Sequence, residues 1–131
     1  MMRLMTSCIF IVLTSTVAEA NFRTKVVPAG QTTRVAVYTA WHPERCGSVF
    51  AIVKVTSKPQ NGKLSNTLTN TTIPVTRFTG RPGPCFGKPT KGFEVYYTPA
   101  KGFRGPDTFS LEISWPAVNR VESDVFSVSV Q

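Results

Sequence analysis

Hydrophobic and polar residues alternate with period two over much of the second half of this chain. Phe93, Val95 and Tyr97 fall on one side, with Glu94 and Tyr96 on the other. Phe109, Leu111, Ile113 and Trp115 share a side opposite Ser110, Glu112 and Ser114. That period, carried by β-branched and aromatic side chains, predicts two half-buried strands. Between them lies Thr98 to Asp107, read TPAKGFRGPD. Pro99 and Pro106 cannot donate to a ladder, and Gly102 and Gly105 permit positive φ. Phe103, the large apolar residue of this loop, is expected to fold back as a plug on the end of the core. Asp107 is placed to accept backbone N–H bonds and so fix the start of the next strand.

The same reading along the rest of the chain finds turn residues every eight to twelve positions and no sustained helical period, the pattern of an all-β sandwich. Phe22 to Val27 predicts an edge strand ended by Pro28-Ala29-Gly30, and Thr33 to Tyr38 a strand with Val35 and Val37 inward. Val49 to Thr56 is the most apolar. Val49, Ala51, Val53 and Val55 line one face and Phe50 and Ile52 the other, which predicts cover on both sides at one end, with the Trp41–Cys46 loop as the cover. Asn61-Gly62 predicts a tight turn. Leu64 to Thr72 is rich in Ser, Thr and Asn, so its register is not readable. Ile73 to Phe78 predicts a strand that Pro74 confines to an edge, and Gly80 to Gly92, with three prolines and four glycines, predicts a loop. Val121 to Val130 closes the chain with Phe126, Val128 and Val130 inward. Val121 and Val125 are out of phase with that set and predict a bulge. The total is seven or eight strands with no internal repeat.

The first twenty residues follow another pattern. Arg3 gives a short basic start, Cys8 to Leu13 (CIFIVL) is a compact apolar run, and Ala18-Glu19-Ala20 has the form of a cleavage site. This predicts a secretory signal peptide over 1–20, too short to span a membrane, and a single mature domain over 21–131. The expected location is secreted or periplasmic. Cys46 and Cys85 are the cysteines left after cleavage, and in an exported protein such a pair predicts one disulfide.

Charge sharpens the picture. The chain carries a formal +8, and Arg3 and Glu19 leave together with the leader. Between Arg45 and Phe93 there are eight bases (Arg45, Lys54, Lys58, Lys63, Arg77, Arg81, Lys88 and Lys91) and no acid. A basic face attracts anions and raises encounter rates.

Three segments, VKVTSKPQNGKL, YYTPAKGFRGPDTFSLEI and VFSVSVQ, resemble the bacterial cadherin-like, immunoglobulin-type repeat domain. Pro59, Gly62, Tyr97, Thr98, Pro99, Gly102, Phe103, Gly105, Asp107 and Phe109 fall on its pattern in order, over roughly the C-terminal two thirds. The resemblance implies an immunoglobulin-like antiparallel β-sandwich of a surface or secreted protein, often linked to adhesion or carbohydrate binding. This chain holds one copy. The acidic, calcium-associated loop of the family is replaced by Tyr38 to Cys46, and two cysteines and a long insert, Leu64 to Gly92, are added.

Catalytic and phosphate-binding signatures such as Gly-x-Ser-x-Gly, His-Glu-x-x-His and the phosphate loop are absent from the sequence. His42, the single histidine, has no Asp or Ser at a spacing that marks a triad. Asp107 alone falls short of the six to eight oxygens calcium takes. No cofactor or metal is expected. The sequence therefore predicts a non-enzymatic binding module for an anionic partner: an acidic glycan, lipopolysaccharide or an acidic protein. Export argues against nucleic acid. The expected patch is Arg45, Lys58, Lys63, Arg77, Arg81, Lys88 and Lys91, and the oligomeric state is open. One alternative is an inhibitor that inserts the loop over 80–92 into an extracytoplasmic enzyme. Another is a weak glycoside hydrolase with Glu94 and Glu112 as its carboxylate pair, on strands lying side by side.

Overall fold

The computed structural model describes residues 20–76 and 79–131. The expected signal peptide, apart from Ala20, and the pair Arg77 and Phe78 lie outside the described residues. Within them the strands are β1 (Asn21–Val27), β2 (Thr33–Tyr38), β3 (Ile52–Ser57), β4 (Gly62–Thr72), β5 (Pro89–Pro99), β6 (Gly105–Trp115) and β7 (Arg120–Val130). One 3-10 turn, Pro116–Val118, joins β6 to β7. The strands form two sheets, ordered β1-β7-β6-β3 and β2-β5-β4. Leaving β1 aside, the order is that of the two sheets of an immunoglobulin-like sandwich, with long connections crossing between them. All pairings are antiparallel except β1 with β7, which is parallel.

The alternating faces pack as their period requires. Val95 and Tyr97 of β5 meet Phe109, Leu111, Ile113 and Trp115 of β6 and Phe126, Val128 and Val130 of β7. Phe109 stacks between Tyr97 and Phe126, with ring centroids 6.1 and 4.6 Å away. At the β5–β6 corner Asp107 accepts hydrogen bonds from the backbone N–H of Thr108 (2.9 Å), Gln60 and Asn61 (3.0 Å each), and from the Tyr97 hydroxyl (2.8 Å). One carboxylate therefore ties the start of β6 to the β3–β4 turn. Phe103 packs partly buried against the core end, between Gly102 and Gly105, both at positive φ. Asp107 reaches the β3–β4 turn as well as the strand entry that the sequence indicated.

The Cys46–Cys85 disulfide is formed, with Ile73 and Trp41 packed on it as a small second core. It closes a separation of 39 residues, which the loop-entropy relation converts to about 4 kcal/mol.

Several expected elements are placed differently. β3 begins only at Ile52, and Phe50 and Ile52 are 73% and 58% exposed, so the expected cover over that strand does not form. A register shift between Arg34 and Ala36 turns Ala36 and Tyr38 inward beside Val35 and leaves Val37 exposed. The unreadable Ser/Thr/Asn stretch is the regular strand β4, paired along its whole length with β5. Residues 73–76 form no strand: the Ile73 N–H and carbonyl bond Lys88 and Gly87 across the base of the disulfide loop. Pro89 to Gly92 belong to β5, so the loop is shorter than the one expected over 80–92. Finally, β7 pairs with β6 without a bulge. Val121 and Val125 face outward, and the inward positions before Phe126 are held by Glu122 and Asp124.

Candidate functional site

Asp124 has no exposed surface. It sits on the core face of β7, in phase with Phe126 and Val128, and the parallel pairing of β1 sets Asn21 opposite it. Its carboxylate accepts from the Tyr38 hydroxyl (2.6 Å), from Arg23 Nε (2.9 Å) and from Asn21 Nδ2 (3.1 Å). The Arg23 guanidinium lies over the rings of Tyr38 and Phe126, 5.7 and 5.8 Å from their centroids. A charge so far from water persists only when it is paired and hydrogen-bonded, and here every donor comes from β1 or β2. Burial first, then the bond to Asp124 and its charge, push the Tyr38 phenol far above its ordinary range, so the hydroxyl is a fixed donor.

Above this cluster lies an open groove with a cavity of about 470 Å³. Tyr38, Trp41, Pro43, Pro74, Val75 and Trp115 line its apolar side; Arg23, Arg120 and Glu122 supply the polar rim. Arg120 stacks 4.9 Å from the Trp115 ring and bonds Glu122. Among the described residues, Trp115 Nε1 is the buried side-chain nitrogen or oxygen without a hydrogen-bond partner. The volume falls in the range of about 300–1,000 Å³ typical of small-molecule sites.

The loops beside the groove carry part of the expected basic patch. The disulfide joins the segment of Arg45 to that of Arg81 and Lys88. The Thr76 N–H bonds the Arg81 carbonyl (3.0 Å), and the Lys91 N–H bonds Ser48 Oγ (3.0 Å). Arg45, Arg81, Lys88 and Lys91 are all exposed at this end, with Glu44 as the nearby acid in sequence. Lys58 and Lys63 are not part of this group. Lys63 stands opposite Thr98, and Lys91 opposite Asn70, seven residues further along the same ladder. At about 3.3 Å per residue that is roughly 23 Å, well beyond the ~8 Å screening length at physiological salt. Lys58 and Lys63 instead flank a shallow pocket with Val55, Pro59 and Leu64 at the opposite end. Arg77 lies outside the described residues.

The carboxylates of the hydrolase alternative are not brought together. Glu94 is on β5 and Glu112 on β6, strands of different sheets, and each residue faces away from the core. The two side chains leave the sandwich from opposite faces, with sheets about 10 Å apart between them. Glu94 accepts from Tyr96 and from Arg34 (3.0 Å). Those bonds hold its carboxyl below the usual range, the reverse of what a general acid needs. His42 is a turn residue: its carbonyl accepts from Cys46 N–H (2.8 Å) and its N–H donates to Gly47 (2.9 Å). No group of three or more His, Cys, Asp or Glu side chains able to hold a metal occurs among the described residues, and no helix there is long and apolar enough to cross a membrane.

Sequence reasoning passed over Asn21, Arg23, Tyr38 and Asp124. A signal was present: Glu122 and Asp124 stand at i−4 and i−2 from Phe126, the positions a strand of period two turns inward. No family model, no curated protein and no solved structure matches the chain.

Proposed function

We propose that the processed chain is an exported, non-enzymatic binding module whose partner is polyanionic and is met at the disulfide end of the sandwich. The observation that carries this reading is the placement of Arg45, Arg81 and Lys88 on exposed loops tied by the Cys46–Cys85 bridge, with Lys91 exposed at the adjoining start of β5, next to the groove. Loops held in place lose less conformational freedom on binding, and the surplus of positive charge on them is met by Glu44 alone in sequence. The anionic groups of an acidic glycan, of lipopolysaccharide or of an acidic protein share the required chemistry.

The test is affinity for polygalacturonate and for lipopolysaccharide at low and high salt, with parent and Arg81→Glu/Lys88→Glu. Expected is binding that weakens at least tenfold as salt rises and is lost in the double variant. Equal binding by both proteins, or none at low salt, rejects the reading. A second reading has one observation in its favour. Phe86 is 50% exposed on the braced loop between Cys85 and Gly87, as an inhibitory loop inserted in an enzyme cleft would present it. That reading requires loss of binding in Phe86→Ala and little dependence on salt.

A further inference from the structure

The outward faces of the two sheets differ in kind. On the three-stranded sheet Arg34, Glu94 and Tyr96 form a bonded polar cluster flanked by Ser65, Thr67 and Thr69. On the four-stranded sheet the ladder registers place the outward residues in rows: Val26–Ser129–Pro106, Thr24–Ser127–Thr108, Phe22–Val125–Ser110, Ser123–Glu112–Lys54 and Val121–Ser114–Ile52. Lys54 and Glu112 are register partners and the face's one pair of charges. Four of the chain's exposed large hydrophobics stand on it: Phe22 (83%), Val121 (65%), Val26 (61%) and Ile52 (58%), with Phe50 (73%) just beyond its rim.

We infer that this face is the contact surface for a second copy of the same chain. The apolar side chains stand in separate groups across the face, Phe22 beside Val125 and Val121 in the row of Ile52, with Ser and Thr between them. Grouped apolar surface marks interaction sites more often than isolated side chains do. The face carries no net charge on a chain of +8, so two copies meeting here keep their basic loops apart, whereas the disulfide ends would repel. A membrane surface would be met by the bases, and none but the paired Lys54 lies here. Strand lengths and a spacing of about 4.8 Å give a projected area of roughly 550 Å². Two such faces together give roughly 1,100 Å², the size of a small, transient interface. The serines and threonines between the aliphatics make the contact one of modest affinity. Each dimer then carries two disulfide ends free for ligand, and a multivalent polyanion is held by both at once.

The experiment is sedimentation velocity on the full chain expressed with its own leader and purified with the disulfide intact. Concentrations run up to about 0.5 mM, close to the ~1 mM dissociation constants of weak complexes. Expected is a concentration-dependent dimer that persists or strengthens when salt rises, because screening removes the long-range repulsion. Phe22→Asp and Val121→Asp should each raise the dimer dissociation constant at least tenfold with an unchanged melting temperature. A monomer at all concentrations in high salt overturns the inference, as does a dimer indifferent to both substitutions. Co-sedimentation of a monomeric chain with phosphatidylcholine vesicles, lost in Phe22→Asp, would assign the face to lipid instead. Failure here leaves the anion-binding reading untouched, since that reading rests on the opposite charge pattern at another surface.

Discussion

Asp107 and Asp124 are both buried, and each accepts the hydroxyl of a core tyrosine, yet they do different work. Asp107 takes three of its four hydrogen bonds from backbone N–H groups, those of Thr108, Gln60 and Asn61. Its surroundings are Gly, Pro and a tight turn, and it closes a corner of the sandwich. Asp124 takes its bonds only from side chains: Asn21, Arg23 and Tyr38, which are 103, 101 and 86 residues away in sequence. One of them is a cation, and the cluster forms the floor beneath a groove. Backbone donors are available to any sequence that makes the right turn, so a corner of this kind needs few particular residues. A site of distant side chains needs each of them in place.

The largest expected effect separates the two. Asp124→Ala leaves the Arg23 charge and the Tyr38 hydroxyl without their acceptor. Removing one partner of a buried pair costs about 3–5 kcal/mol, and the partial exposure of Arg23 puts the loss near the lower figure. Arg23→Met with Asp124→Leu should recover most of it, because the charge and its counter-charge then leave together. Asp107→Ala strands turn N–H groups that water can reach, and about 2 kcal/mol is expected, nearer the loss of a helix cap than of a buried ion pair. Urea unfolding of all four proteins with the disulfide intact reads these values. Equal losses at Asp107 and Asp124, with no recovery in the double variant, would erase the distinction.

The sequence carried the β-sandwich and the disulfide well, and the reason is local. Period two over β5, β6 and β7 and the Gly-Phe-x-Gly-x-Asp loop are each contained within a dozen residues. It failed where tertiary context decides. Phe50 and Ile52 look like buried positions, and nothing local says that no second layer lies over them. On β7 the out-of-phase Val121 and Val125 predicted a bulge, but the strand is regular, with both valines outward and Glu122 and Asp124 inward. Their phase with Phe126 was the better guide. The basic run from Arg45 to Phe93 is one stretch in sequence, but β4 and β5 carry Lys63 and Lys91 to opposite ends of one ladder.

The Asp107 corner can be tested further through the glycine that permits it. A Cβ on Gly62 would stand 2.5 Å from Tyr97 Cε2 and 2.7 Å from its hydroxyl oxygen. The tyrosine is fully buried and bonded to Asp107, so it cannot swing aside without giving up that bond. Gly62→Ala should therefore destabilise by about 1–3 kcal/mol through overpacking. Gly47→Ala, where a Cβ meets nothing within 4 Å, should stay near the parent. Thermal melting of both variants decides; similar melting temperatures would mean that Tyr97 is not held by the corner.

The smallest effect at neutral pH becomes the clearest one in alkali. Tyr38 and Tyr97 are both pushed well above the ordinary phenol value of 10.0, first by burial and then by the hydrogen bond to Asp124 or Asp107. Tyr96, bonded to Glu94 at the outer face, is raised as well, chiefly by that bond. A group whose folded value lies above its unfolded one stabilises fully below the unfolded value, and the stability is lost as pH climbs from there toward the folded value. For these phenols that window opens near pH 10, where the unfolded chain releases protons that the folded chain retains. Each buried tyrosine then removes about 1.4 kcal/mol per pH unit. At pH 7 Tyr38→Phe and Tyr97→Phe should each cost only about 1 kcal/mol, the net worth of a hydrogen bond. Above pH 10 each variant should lose stability less steeply than the parent, and the double variant least steeply. Denaturant midpoints between pH 8 and about 11.5 read the slopes. Parallel curves for parent and double variant would show that the two phenols titrate freely, and that neither aspartate holds its tyrosine as described.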